Sequence, residues 1–194
     1  MLRGKKVVLR ARTRTDVAVF YREIAGDLTA AMLVSADPWI PVPVEKKLAA
    51  YDAEPPEDTD VTAAAFAVDV ARGEQGGPME LAGFATLWGI DPHNRRANIG
   101  ISLRPGARGK GLASDVVRVL CDYAFRVRGL HRVQVNTLAD NLPMRRAAQS
   151  AGFVQEGVLR GNAWVDGAFA DEVVLGLLAA DRPADGTRSA DGPG

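Results

Sequence analysis

A chain of 194 residues, 47% apolar and 25% charged, is typical of one globular domain with a sizeable core. The formal net charge is zero, so composition does not indicate bulk attraction to nucleic acid or to an anionic membrane. A single cysteine excludes an internal disulfide framework and is typical of a cytoplasmic protein, and two distant histidines give no metal-ligand spacing. We therefore expect a cytoplasmic protein without a metal site.

The first predicted elements are a strand, two helices and an acidic loop. Residues 7–10 form a short apolar run, and Thr15 with Asp16 can cap a helix that ends near Gly26. A proline-rich stretch separates it from a second helix at about 44–51. Residues 54–60 are predicted to form a solvated acidic loop.

Three strands follow in the next part of the chain. Residues 61–70 and 80–90 are predicted to form a hairpin around the glycine-rich stretch at 72–78. The strand at 95–103 has one apolar face and one small polar face, which Asn98, Gly100 and Ser102 form. A small polar face on a central strand predicts that something other than side chains packs there, and a ligand is the natural candidate.

Residues 104–113 carry three glycines, three positive charges and one proline between that strand and an amphipathic helix. Unpaired amides and the helix dipole favour an anion at a helix N-terminus, and glycines let the backbone close on it. Arg108 and Lys110 add full charges. The dinucleotide pattern G-x-G-x-x-G and the Walker pattern are both absent. The alternative is a glycine-rich helix start that holds no ligand.

The rest of the chain alternates between helix and strand. We predict a helix at 112–127, a strand at 131–136 and a helix that Asn141 caps and Gly152 ends. Strands at 153–165 and 168–178 are predicted to form a hairpin, because Asp-Gly at 166–167 is a two-residue turn signal. The elements predict an α+β domain over residues 1–180 and a Pro/Gly/Asp-rich tail over 181–194.

The chain resembles the GCN5-related N-acetyltransferase (GNAT) superfamily, in particular its RimJ/RimL-like branch. Arg108-Gly109-Lys110-Gly111-Leu112-Ala113 is similar to the family's pyrophosphate loop. Further matching residues are 97–105, 123–125, Asn141, 151–153, Glu156, Gly157, Leu159, Arg160, Gly167 and Asp171. The resemblance implies a mostly antiparallel mixed sheet of about seven strands, with helices on both faces, splayed between the fourth and fifth strands.

The resemblance also implies acetyl-CoA as the cofactor. Backbone groups at Ser102 and Leu103 would pair with the pantetheine arm and polarise the thioester carbonyl. Asn141 would contact the cofactor arm, although a plain helix cap explains this residue equally well. The full set of cofactor-binding residues that we expect is Ile101, Ser102, Leu103, Arg108, Gly109, Lys110, Gly111, Leu112, Ala113, Asn136 and Asn141.

Two positions depart from the family pattern. Asn98 stands where many relatives carry Glu as a candidate general base, and Met144 stands where RimL-like enzymes carry Ser as a candidate general acid. The remaining titratable candidates for catalysis are Asp91, His93 and Glu156.

Two functions remain open from the sequence. The first is an N-acetyltransferase in which a primary amine, from a protein N-terminus or a small molecule, attacks the thioester directly. The second is a non-catalytic acyl-CoA-binding or regulatory module that has lost the usual acid and base. A homodimer through the terminal hairpin and the tail is a further expectation from the resemblance.

Overall fold

The computed structural model describes residues 1–26, 28, 38–53, 62–71 and 77–182. The predicted loop at 54–60, most of the loop at 72–78 and nearly all of the predicted tail lie outside these residues. The strands are β1 (Leu2–Arg3), β2 (Val7–Ala11), β3 (Ala63–Ala71), β4 (Met79–Asp91), β5 (Arg96–Leu103), β6 (Arg132–Leu138), β7 (Val154–Val165) and β8 (Ala168–Leu178). The helices are α1 (Arg14–Glu23), α2 (Val44–Ala53), α3 (Leu112–Asp122) and α4 (Leu142–Ser150).

The strands form one sheet in the order β1-β2-β3-β4-β5-β6-β8-β7. Among the described strands, β5 and β6 are the one parallel pair, and all other neighbours are antiparallel. This confirms the predicted α+β class and the mostly antiparallel mixed sheet. The sheet has eight strands rather than about seven, because Leu2 and Arg3 pair with Leu9 and Val8. Two residues are too short a strand to produce an alternating pattern.

The sheet splays where it was predicted to, between the fourth and fifth predicted strands. Residues 96–98 of β5 pair with residues 132–134 of β6, and the pairing stops there. Beyond Asn98, β5 continues to Leu103 without a partner on the β6 side, so its backbone borders a gap in the sheet.

Helical segments cover both faces of the sheet, as predicted. On one face, the ring of Phe20 from α1 packs edge-on against Phe84 of β4, with 4.9 Å between centroids. On the other face, Phe66 of β3 packs against Tyr123, which follows α3, at 5.3 Å. Phe66 lies opposite Ala85 in the register, and Ala85 is the neighbour of Phe84. The two aromatic contacts therefore lie on opposite sides of the sheet.

Helix α1 begins two residues earlier than the sequence predicted, because Thr13 is its cap. The Thr13 hydroxyl accepts from the Asp16 amide (3.4 Å), and the Asp16 carboxylate accepts from the Thr13 amide (2.7 Å). Asp16 is thus the third helical residue of a capping box rather than part of the cap itself. The carboxylate also pairs with Arg10, a contact that local sequence does not reveal.

The other element ends are close to the predicted positions. Helix α3 ends at Asp122, and the predicted remainder to Val127 is a π-helical turn. The hairpin turn between β7 and β8 has positive φ at Asp166 (49°) and Gly167 (80°), as an Asp-Gly type I′ turn requires. In the part of the chain that the structure describes, no helix combines the length and the apolar character needed to cross a membrane.

Candidate active site

A cleft of about 400 Å³ opens where β5 and β6 part. β5 and the start of α3 form one wall, and β6 with the N-terminus of α4 forms the other. Seven of the eleven residues predicted to bind the cofactor line this cleft, namely Ile101, Ser102, Leu103, Arg108, Ala113, Asn136 and Asn141. The remaining four, Gly109, Lys110, Gly111 and Leu112, form the loop between Arg108 and Ala113. The predicted set thus comprises seven residues of the cleft lining and four that join Arg108 to Ala113 in the chain, of which Lys110 and Leu112 line a neighbouring cavity.

The glycine loop has the backbone geometry of an anion site. Gly109 and Gly111 have φ values of 74° and 70°, in the left-handed region that favours glycine. Within the described residues, the amides of residues 109–112 donate to no protein acceptor. Apart from its two chain neighbours, no described residue has an atom within 4 Å of the position where a Cβ of Gly109 would stand. Free donors, open space and the N-terminus of α3 together fit a pyrophosphate group.

The two cations predicted for the loop lie on different sides of it. Arg108 lines the cleft, and its Nε donates to the Leu103 carbonyl at 3.0 Å. Lys110 instead lines a second cavity of about 270 Å³, together with Glu23 and Arg104. The loop therefore presents one of its own two cations to the cleft.

Arg104 fixes the start of the loop. Its guanidinium donates to both carboxylate oxygens of Glu23 at the end of α1, at 2.7 and 2.8 Å, and to the Leu81 carbonyl at 2.9 Å. The hydrogen bond from Arg104 lowers the pKa of Glu23, and the same contact raises the pKa of Arg104. This pair ties helix α1 and strand β4 to the point where the chain turns into the glycine loop.

The opposite wall presents side chains that are already bonded to protein groups. The Asn141 Oδ1 accepts from the Met144 amide (3.3 Å), which confirms the helix-cap interpretation, and its Nδ2 donates to the Thr137 hydroxyl (2.9 Å). The Asn136 Oδ1 accepts from Gln134 Nε2 at 2.8 Å. Asn136 and Asn141 retain further hydrogen-bonding capacity, since an amide carries two donors and two acceptor sites.

The three predicted catalytic candidates do not lie among the residues that line the cleft. Asp91 is the half-buried last residue of β4 and His93 lies in the exposed turn that follows, and the Asp91 carboxylate accepts from the amide and side chain of Asn94. Glu156 forms a two-point ion pair with Arg132 on the sheet. The hydrogen bonds from Asn94 lower the pKa of Asp91, and those from Arg132 lower the pKa of Glu156. Both carboxyls are therefore weak proton acceptors, and a catalytic role for the three residues stays a prediction.

Sequence reasoning missed the one carboxylate among the described residues that line the cleft. Asp140 stands directly before the cap of α4 and borders the cleft. The only feature of the sequence that could have indicated Asp140 as a cleft residue is its position next to Asn141. Met144 lines the same wall as a partly buried thioether, so no hydroxyl donor stands at the position where RimL-like relatives carry serine.

The small polar face of β5 borders the cleft at Gly100 and Ser102, and at Gly100 it also meets side chains of the neighbouring strand. A Cβ at Gly100 would stand 2.7 Å from the Thr86 hydroxyl and 3.6 Å from Trp88 Nε1. Side chains of the neighbouring strand β4 thus lie against Gly100, and a ligand on this face stays a prediction. The close cross-strand approach accounts for the small residue at position 100, which is also part of the cleft lining.

Cys121 is 2% exposed in α3, and burial raises the pKa of its thiol to about 12. A buried and protonated thiol cannot serve as an acyl-accepting nucleophile.

Comparisons with known proteins agree with this geometry. A model of the acetyltransferase (GNAT) domain family matches residues 6–154. A Bacillus subtilis (strain 168) protein named as a probable N-acetyltransferase is 38% identical over 85 residues, which cover 44% of this chain and 47% of that protein. The matched segments thus span about half the length of the curated relatives.

Solved structures share the fold over nearly the whole chain. The Vibrio cholerae spermidine N-acetyltransferase in complex with CoA and spermine superposes with a TM-score of 0.78 at 21% identity, covering 92% of this chain and 98% of that one. RimL, a ribosomal L7/L12 alpha-N-protein acetyltransferase in complex with coenzyme A, gives 0.74 at 18% identity, covering 90% and 95%. With the family match over residues 6–154, the chain belongs to the GNAT acetyltransferase domain family.

Proposed function

We propose that this protein transfers an acetyl group from acetyl-CoA to a primary amine. The observation that carries the proposal is the glycine loop, whose unpaired amides at residues 109–112 open beside the gap between β5 and β6. The loop would hold the pyrophosphate, and the part of β5 that has no β6 partner, at Ser102 and Leu103, would run along the pantetheine arm. Acetyl-CoA supplies an acyl group already activated as a thioester.

The protein groups act by positioning and polarisation. Backbone donors on the β5 edge would stabilise negative charge on the thioester carbonyl oxygen, which is the role of an oxyanion site. The amine would attack directly, because the buried Cys121 cannot carry the acyl group. The related proteins support an amine acceptor, since one is named a spermidine N(1)-acetyltransferase and RimL is named an alpha-N-protein acetyltransferase.

A second candidate is an acyl-CoA-binding module without turnover. The absence of a serine at position 144 and the placement of Asp91, His93 and Glu156 outside the described cleft lining favour it. The loop and the gap in the sheet are compatible with either function, so binding alone does not separate them.

Two measurements test the proposal. Calorimetry with coenzyme A reports binding, and thiol release from acetyl-CoA in the presence of an amine panel reports transfer. The panel contains spermidine, short peptides with free N-termini and the same peptides with blocked N-termini as matched controls. Amine-dependent thiol release with an acetylated product in mass spectrometry supports the transferase. Binding without release supports the second candidate, and no binding contradicts both.

A further inference from the structure

The turn between β1 and β2 is fixed against the N-terminal part of α3. The Asp115 carboxylate, in a residue that is 5% exposed, accepts from the amides of Lys6 (2.6 Å) and Val7 (3.2 Å). A Cβ at Gly4 would stand 2.5 Å from that carboxylate, so the turn approaches as closely as a glycine permits. The backbone of Lys6 is therefore held by a buried charge-assisted contact.

This contact places the ammonium of Lys6 beside the glycine loop, although the two are far apart in the sequence. Lys6 Nζ donates to the Lys110 carbonyl at 3.4 Å. It also stands 3.6 Å from the position that a Cβ of Gly111 would occupy. A lysine ammonium has three donors, so this one long contact leaves two of them for another acceptor. The neighbouring amides of residues 109–112 donate to no protein acceptor among the described residues.

We propose that Lys6 binds a phosphate group of coenzyme A. The inference rests on the proposed function and extends its binding site to a residue outside the glycine motif. The charge of Lys6 would complement a phosphate at the amides of the loop, in addition to Arg108 on the cleft side. Two phosphate sources share this chemistry, the pyrophosphate and the ribose 3′-phosphate.

The test compares Lys6→Ala with wild type and with Lys5→Ala by calorimetry. Lys5 is an exposed neighbour in the same turn, so its removal controls for the loss of one positive charge. We expect Lys6→Ala to weaken coenzyme A binding about fivefold, the size of a partly solvated charged contact, and Lys5→Ala to stay within about twofold. The difference should shrink as salt is raised, because the contact is solvent-accessible. Lys6→Arg should retain most of the affinity.

Dephospho-coenzyme A, which lacks the ribose 3′-phosphate, shows which of the two phosphates Lys6 contacts. If the Lys6→Ala defect persists with dephospho-coenzyme A, the contact is with the pyrophosphate; if it disappears, the contact is with the 3′-phosphate. Wild type that binds coenzyme A, with Lys6→Ala equal to Lys5→Ala, would overturn this inference and leave the proposed function standing. Wild type that binds no coenzyme A would overturn both.

Discussion

The two walls of the cleft present their polar groups in different ways. On the β5 side the polar groups belong to the backbone: the amides of residues 109–112 donate to no acceptor among the described residues, and β5 has no β6 partner beyond Asn98. On the α4 side, Asn136 and Asn141 use part of their amides to bond Gln134, Thr137 and the Met144 amide. A backbone site depends on chain geometry, whereas a side-chain site depends on the identity of each residue. The first wall is thus suited to hold the phosphates of a cofactor, whereas hydrogen bonding at the second depends on the side chains of Asn136 and Asn141.

The strongest test of this difference is Gly111→Trp. We expect micromolar acetyl-CoA binding by wild type and no measurable binding by the variant. The indole would cover the loop amides, and φ at this position is 70°, where side chains are strained. Calorimetry measures the effect. Gly129→Trp is the matched control, because Gly129 has φ of 62° and open space at its Cβ, and it does not line the cleft. Equal affinity of Gly111→Trp and wild type would contradict a cofactor role for the loop.

The pH dependence of turnover tests whether Asp91, His93 or Glu156, which lie outside the described cleft lining, supplies a base. The pKa values of Asp91 and Glu156 are lowered by hydrogen bonds from Asn94 and Arg132, so both carboxylates are ionised at neutral pH. They add no inflection near neutral pH. We therefore expect the rate to rise about tenfold per pH unit until the pKa of the acceptor, about 8 for an α-amine and about 10 for an alkyl amine. The plateau thus also reports the acceptor class.

His93→Ala is the control for that profile. If water takes the amine proton, the profile of the variant matches wild type. A wild-type inflection at about 6.5, the ordinary histidine value, that disappears in His93→Ala would show that the turn between β4 and β5 carries the base.

Met144→Ser tests whether turnover is slowed by the lack of a general acid at position 144, on the α4 wall of the cleft. A hydroxyl at this place would donate to the departing thiolate, and we expect a gain in kcat of up to about 10²-fold, the low end for a general acid. The gain is limited because the thiolate of a thiol with a pKa of about 8.5 is already a good leaving group and does not need to be protonated as it departs. Met144→Ala is the matched control, since it removes the thioether without adding a hydroxyl. Equal rates for the serine and alanine variants would place the leaving group away from residue 144 or make another step rate-limiting.

The sequence predicted best what depends on local backbone preferences. The alternating pattern located β5, glycines at 109 and 111 located the loop, and Asp-Gly at 166–167 located the β7–β8 turn. These features follow from φ requirements and periodicity within a few residues. The splay of the sheet came from the family resemblance, because a gap between strands has no local signature.

The sequence predicted least where contacts join distant segments. Lys6 reaches the loop across 104 positions, and the Arg132–Glu156 pair closes only in the folded sheet. The sequence also did not reveal that Thr86 packs against Gly100, because a glycine indicates that space is needed but does not identify the neighbour. The cap of α1 was misplaced for a local reason: Thr13 and Thr15 are equivalent by residue type, and the hydrogen bonds of Asp16 select Thr13.

Asn141 gives the smallest expected effect and the most direct comparison of structure with binding. Asn141→Ala removes the cap of α4 and should lower the free energy of unfolding by about 1 kcal/mol, measured in urea. Asn141→Ser restores a capping oxygen but not the amide, so it should recover most of that stability. If the amide also contacts the cofactor arm, as we propose, both variants should bind acetyl-CoA about threefold more weakly, the size of one neutral hydrogen bond. Unchanged affinity in both variants would limit Asn141 to its role as a helix cap, and the second wall would then contribute shape rather than hydrogen bonds to cofactor binding.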